Sequence, residues 1–216
     1  MISFSGIDCC GKSTQIDLVC KELAKRGRKT KVVWSRGGYT PGIELFKRIL
    51  RGGKKATKEE RLAASAKANE SGKKRKLLLI LSLIDLWFYY SIVLRFKGIG
   101  CEVICDRYIW DTYIDFKMKY PDSKFERGFW WRLTLKTMVK PKPSIVMFIP
   151  AEMSMYRSSL KEEPFPEPIE VRRERIEWYV REMENGRWQH KIDATGSIEE
   201  VYAEVIKACD EGKKNV

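Results

Sequence analysis

The sequence predicts an α/β fold of three layers, in which a five-stranded parallel sheet carries helices on both faces. Two observations point to it. Short apolar runs alternate with helix-spaced segments along the 216 residues, and a glycine-bounded turn joins the first run to the first helical segment. At this length, with 44% hydrophobic residues, the chain can bury a sizeable core as one domain.

The elements follow in order. Residues 2–5 form an apolar run suited to a buried strand, and Ile16, Leu18, Val19 and Leu23 recur at helical spacing within a helix over 13–26. A strand at 31–35, a helix at 43–51 and a long helix from about 76 to 97 come next. A strand at 102–105 precedes helices near 109–119 and 126–138. The chain then gives a strand at 144–149, helices at 151–160 and 170–184, a strand at 190–194 and a helix at 197–211. In such sheets ligands bind beyond the carboxyl ends of the strands, so the residues just after each strand are the candidates for chemistry.

After the first strand stand Gly6, Ile7, Asp8, Cys9, Cys10, Gly11, Lys12, Ser13 and Thr14, which read G-x-x-x-x-G-K-S. Glycines let such a loop turn tightly enough for backbone N–H groups to converge on phosphate oxygens. Lys12 can reach the β- and γ-phosphates of ATP, and Ser13 can hold Mg²⁺. Strand, loop and helix occur in the order a P-loop NTPase-type fold requires, so Gly6, Cys9, Cys10, Gly11, Lys12, Ser13 and Thr14 are the expected ATP-binding residues.

Asp106, Arg107 and Tyr108 follow the strand at 102–105. Asp106 is thereby placed beside the phosphate loop to organise Mg²⁺, and Arg107 is expected to face the same cleft. Arg36 follows the second strand, ahead of the flexible run Gly37, Gly38, Tyr39, Thr40, Pro41 and Gly42. That loop offers an arginine and no carboxylate before Glu44. A phosphate acceptor is already an anion and needs cations rather than a base, so the pattern favours such an acceptor over an alcohol. From about 157 to 175, Arg157, Lys161, Arg172, Arg173 and Arg175 surround Pro164, Pro166 and Pro168. The segment is expected to arch as a lid whose arginines close onto the transferring phosphoryl group.

Net charge is +13, and residues 47–76 hold twelve Lys or Arg against three Glu. This basic excursion, centred on about 52–75, reads either as a solvated surface or as a contact for a polyanion or anionic membrane. Residues 77–94 are apolar or aromatic except for Ser82, Asp85 and Ser91. Asp85 weighs against a membrane span, and the stretch reads as a fully buried helix. The six cysteines show neither metal-ligand spacing nor a secretory context, which predicts reduced thiols in a cytoplasmic protein.

These residues together resemble the thymidylate kinase family of nucleoside monophosphate kinases. The likeness rests on the phosphate loop at 6–15 including Asp8 and Gln15, the Arg36 loop, Asp106-Arg107-Tyr108, and Ile192-Asp193-Ala194 followed by Ser197, Ile198, Glu199, Glu200 and Val201. The resemblance implies transfer of the ATP γ-phosphoryl group to thymidylate, with Arg36 and Arg107 on the acceptor phosphate and Asp8 near its sugar or the metal. It also implies substrate contacts from Tyr108 and Asp115, adenine near residues 192–201, and the homodimer common in the family; no dedicated protein partner is expected. Cys9 and Cys10 occupy loop positions where some members carry a catalytic arginine, so the lid arginines, Arg157 among them, become the candidates to act beside Lys12, Arg107 and Asp8. The chain departs from the family in the base-reading region: residues 81–86 hold Asp85 and no arginine, and Asp115-Phe116 replaces a Tyr-Gln pair. Two further readings therefore stand beside the first. One is a kinase for a different phosphorylated or hydroxylated small molecule, with Asp8 or Asp111 as base. The other is a nucleotide-regulated protein that binds a polyanion or membrane.

Overall fold

The computed structural model describes residues 1–34, 72–161 and 167–214. The helix expected at 43–51, the Arg36 loop and most of the basic excursion lie outside them. The described residues fall into two compact units, one within Met1–Arg36, Lys97–Asp122 and Lys140–Val216, the other within Gly37–Phe96 and Ser123–Val139.

The first unit is built on a five-stranded sheet of β1 (Ile2–Ser5), β2 (Thr30–Trp34), β3 (Glu102–Asp106), β4 (Ser144–Phe148) and β5 (His190–Asp193), in the order β2-β3-β1-β4-β5. Every pairing is parallel. All four residues of β1 are buried although successive side chains point to opposite faces, so both faces of the central strand are covered. The register sets Phe4 beside Asp106 on one side and Ile145 on the other. The chain thus leaves β1 between the ends of β3 and β4, where an open α/β sheet forms its ligand crevice.

Helix α1 (Lys12–Lys25) buries Ile16, Val19 and Leu23, one face at a spacing of three and four residues. At the other end of the chain, α8 (Ile198–Lys214) buries Val201, Val205, Ala208 and Cys209, and the two helices pack together. Helices α4 (Ile109–Lys119), α6 (Ala151–Leu160) and α7 (Ile169–Glu184) complete the unit, with α7 packed against both α4 and α6. All six cysteines are free thiols.

The second unit contains α2 (Gly72–Phe88), a π-helical turn at Tyr89–Val93, α3 (Leu94–Lys97), a 3₁₀ turn at Phe125–Arg127 and α5 (Phe129–Thr137). The indole of Trp87 donates to Thr137 Oγ1 at 3.1 Å, and the Val139 N–H donates to the Tyr90 carbonyl at 3.1 Å. The expectation of a fully buried helix over 77–94 is corrected here. Leu79, Leu83, Leu86, Tyr90 and Leu94 form a single buried stripe, while Leu77, Ile80 and Phe88 are exposed. Hydropathy that is uniform around a helix carries no information about which side finds a partner. By length and composition alone, Arg75–Lys97 is apolar enough to cross a membrane, and 39% of its apolar window is buried.

The start of α8 is fixed by a reciprocal cap. The Ser197 hydroxyl accepts from the Glu200 N–H at 3.2 Å, and the Glu200 carboxylate accepts from the Ser197 N–H at 2.8 Å. Ser197→Ala should therefore lower unfolding free energy by about 1 kcal/mol in urea titration, with no change in the slope of the transition.

Candidate functional site

Three residues with positive φ shape the turn after β1: Gly6 at 140°, Cys9 at 60° and Gly11 at 95°. A Cβ on Gly6 would lie 2.3 Å from the Met147 carbonyl oxygen of β4, so only glycine lets the chain pass between the strands. Left-handed residues set among right-handed ones curl successive N–H groups toward one point, and α1 begins immediately afterwards at Lys12 with its own N-terminal N–H groups. Such a combination is suited to cradle an anion. Ser13 and Thr14 are exposed on the first turn of α1, Cys9 is half-buried, and Cys10 is fully buried.

Lys12 lies folded against this loop. Its ammonium donates to the carbonyls of Ile7 at 2.7 Å and Gly6 at 3.0 Å and approaches Cys10 Sγ at 3.5 Å. Arg107 comes to the same place from the end of β3. It adopts φ 73°, uncommon for a residue with a side chain, and its N–H donates to the Phe4 carbonyl at 2.8 Å. The guanidinium donates to the Gly6 carbonyl at 3.2 Å and pairs with the Asp8 carboxylate. Burial works against that charge, but Tyr179, Asp111 and Asp8 facing it outweigh burial and hold the pKa of Arg107 above its ordinary value.

Asp106, the last residue of β3, carries a buried oxygen, Oδ1, with no hydrogen-bond partner among the described residues. Desolvation pushes its carboxyl pKa up, and the positive charges of Lys12 and Arg107 oppose the rise only in part. An orphaned carboxylate oxygen beside a phosphate-type loop is a hard donor suited to a cation, as is the exposed hydroxyl of Ser13.

The structure thus brings Gly6, Asp8, Cys10, Lys12, Asp106 and Arg107 together. Other expected residues stand elsewhere. Arg36 lies outside the described residues. Arg157, in the last turn of α6, donates to the Ala194 carbonyl just after β5 at 3.1 Å. Tyr108 is buried at the start of α4. Asp115 is paired with Arg175, which also grips Glu167 through two nitrogens. Arg173 pairs with Glu152 at the surface, and Arg172 is buried against Ser154 and Ser158. Residues 162–166 of the expected lid lie outside the described residues.

Asp111, one of the two candidate bases in the alternative reading, is held within the fold by four donors. Its carboxylate accepts from the hydroxyls of Ser5 and Tyr179 and from the N–H groups of Gly6 at 3.3 Å and Tyr108 at 2.9 Å, which fills its acceptor sites. Sequence reasoning missed the carboxylate's structural role, and it missed Ser5, Ser154 and Tyr179 altogether. The one available signal was position: Asp111 sits in the first turn of a helix, where carboxylates favour the free N–H groups.

The raised pKa of Asp106 gives a prediction with a definite sign. A carboxyl raised on folding contributes stability below its ordinary value and loses that contribution as pH climbs through the folded value. In EDTA, Asp106→Asn should therefore have a higher Tm than the unsubstituted protein at pH 7, and the gap should close as the pH is lowered. A lower Tm at pH 7 would mean that the carboxylate is well solvated.

Comparison with known proteins agrees with this geometry. A family model described as thymidylate kinase matches residues 4–205. The thymidylate kinase of Plasmodium falciparum is 24% identical over 207 residues, covering 95% of this chain and 87% of that protein. That of Bartonella henselae is 24% identical over 219 aligned residues, covering 97% of this chain and 94% of the relative. The match takes in the phosphate loop, the end of β3 and the start of α8 alike, and the chain belongs to the thymidylate kinase family.

Proposed function

We propose that this protein transfers the γ-phosphoryl group of ATP to thymidylate. The observation that carries the proposal is the loop after β1, where positive-φ residues, the buried Lys12 and the orphaned Asp106 oxygen meet in a member of this family. Both relatives described above are named thymidylate kinases, and this chain spans most of each.

The chemistry follows from placement and charge. Phosphoryl transfer through a loose transition state needs in-line positioning and cancellation of negative charge more than it needs a covalent catalyst. Lys12 would exchange the Gly6 and Ile7 carbonyls for phosphate oxygens, a swap of one set of acceptors for a stronger one. Arg107 would hold the acceptor phosphate. Its guanidinium has five N–H donors, more than its Gly6 and Asp8 contacts use, and its raised pKa keeps it charged. Arg36 would share that role from the loop after β2. Asp8 orients Arg107 and would lie near the acceptor sugar. Ser13 and Asp106 would hold Mg²⁺, which would supply neutralisation of phosphate charge when bound. Arg157, anchored at Ala194, would reach the nucleotide from the end of β5.

The decisive experiment is ADP production from Mg·ATP with each common ribo- and deoxyribonucleoside monophosphate. Thymidylate should stimulate turnover most strongly, and Lys12→Ala should lower kcat by about 100-fold or more with the fold intact by circular dichroism. Stronger stimulation by another monophosphate would reassign the acceptor, and near-normal turnover in Lys12→Ala would overturn the mechanism.

A further inference from the structure

We infer that α7 is a positioning element for the phosphate loop, acting through Tyr179 on Asp111 and through Arg172 and Ser154 on the backbone of Asp8. The inference rests on the kinase reading above for its consequence, though its geometry stands alone.

Arg172, Arg175 and Tyr179 succeed one another at spacings of three and four residues, so they share one face of α7. All three are buried, at 2%, 6% and 3% exposure. A helix packed against a core ordinarily presents apolar side chains there, and two buried guanidinium groups are costly unless each is fully engaged. Here each is. Arg172 donates to Ser154 Oγ at 2.6 Å, Ser158 Oγ at 3.0 Å and the Glu167 carbonyl at 3.0 Å. Ser154 Oγ in turn donates to the Asp8 carbonyl at 2.8 Å. Arg175 joins Glu167, just ahead of α7, to Asp115 of α4.

Tyr179 reaches the other end of the loop. Its hydroxyl donates to Asp111 Oδ1, and the Gly6 carbonyl lies within 3.3 Å. The ring is stacked on Trp188 with centroids 5.7 Å apart, which fixes its aim. Burial, and then the Asp111 charge, push the phenol pKa well above its ordinary value, so the group remains a donor. Asp111 also receives the Gly6 N–H and stands 3.6 Å from the Arg107 guanidinium. A single face of one helix therefore braces the phosphate loop at Gly6 through Tyr179 and, through Ser154 of α6, at Asp8. Of the loop residues so fixed, Gly6 is itself an acceptor of Lys12, and Asp8 adjoins the other, Ile7. Removing either tether leaves the fold's core untouched but frees the cradle to fluctuate, and nucleotide binding must then order it again.

The test uses the full chain and calorimetric titration with Mg·ATP well below the unfolding transition, alongside turnover. Tyr179→Phe, which deletes one hydroxyl, and Ser154→Ala should each weaken Mg·ATP binding by about tenfold and lower kcat. Arg181→Ala, on the same helix but stacked over Trp178, should leave Kd within twofold. In Tyr179→Phe/Asp111→Asn the penalties should fall short of additivity, because both substitutions break one link. A merely structural role would lower Tm while leaving Kd and kcat of the folded protein unchanged, and that result in both single variants would overturn the inference. Should one variant fail to fold, the other decides. If the unsubstituted protein binds Mg·ATP but phosphorylates no thymidylate, the acceptor assignment fails while Kd still reports the tethers. If it binds no Mg·ATP, both fall.

Discussion

The site depends on one close approach, where the backbone leaves β1. Gly6 passes so near the Met147 carbonyl that no side chain fits, and its own carbonyl oxygen is the point on which Lys12 and Arg107 converge. A carbonyl has two lone pairs, and these two donors fill them. The Tyr179 proton accordingly belongs to Asp111, the better acceptor. The sheet order β2-β3-β1-β4-β5 matters because it brings β3 and β4 to either side of this one peptide, so Asp106 and Arg107 arrive from one flank and Met147 from the other.

Charge is arranged around the same peptide in alternation. Asp111 is enclosed by donors and acts as a fixed negative post. Arg107 sits between that post and Asp8, while Asp106 stands apart with an oxygen unfilled. Three carboxylates thus have three different fates. One is saturated, one is paired at the rim, and one is desolvated, with an oxygen that has no partner among the described residues. Burial raises the pKa of the last, and its unfilled oxygen suits a cation, whereas the other two contact the arginine.

Much of this was legible in the sequence. The central strands announced themselves as apolar runs because both their faces are buried, and the phosphate loop was visible because its glycines are imposed by backbone geometry rather than by distant contacts. Arg107 was readable from its place after β3. Its supports were not. Tyr179 lies 68 residues from Asp111, and no spacing rule joins them. The arginines at the start of α7 show the same limit. Residues 172, 173 and 175 look alike in the chain, yet two face inward to serine and carboxylate partners and one faces solvent, a difference set by where α7 lies on α4 and α6. The long helix misled through composition: leucines on every side do not reveal which side is covered.

The left-handed backbone of Arg107 carries a final implication. A residue with a side chain pays about 1–3 kcal/mol to stay in that region, and glycine or asparagine would be relieved of much of it. In a saturation library at this position, ranking by thermal resistance and ranking by catalytic output should place different amino acids first. Position 107 is then a site where selection for durability and selection for work pull the sequence apart, and the arginine found there records which of them prevailed.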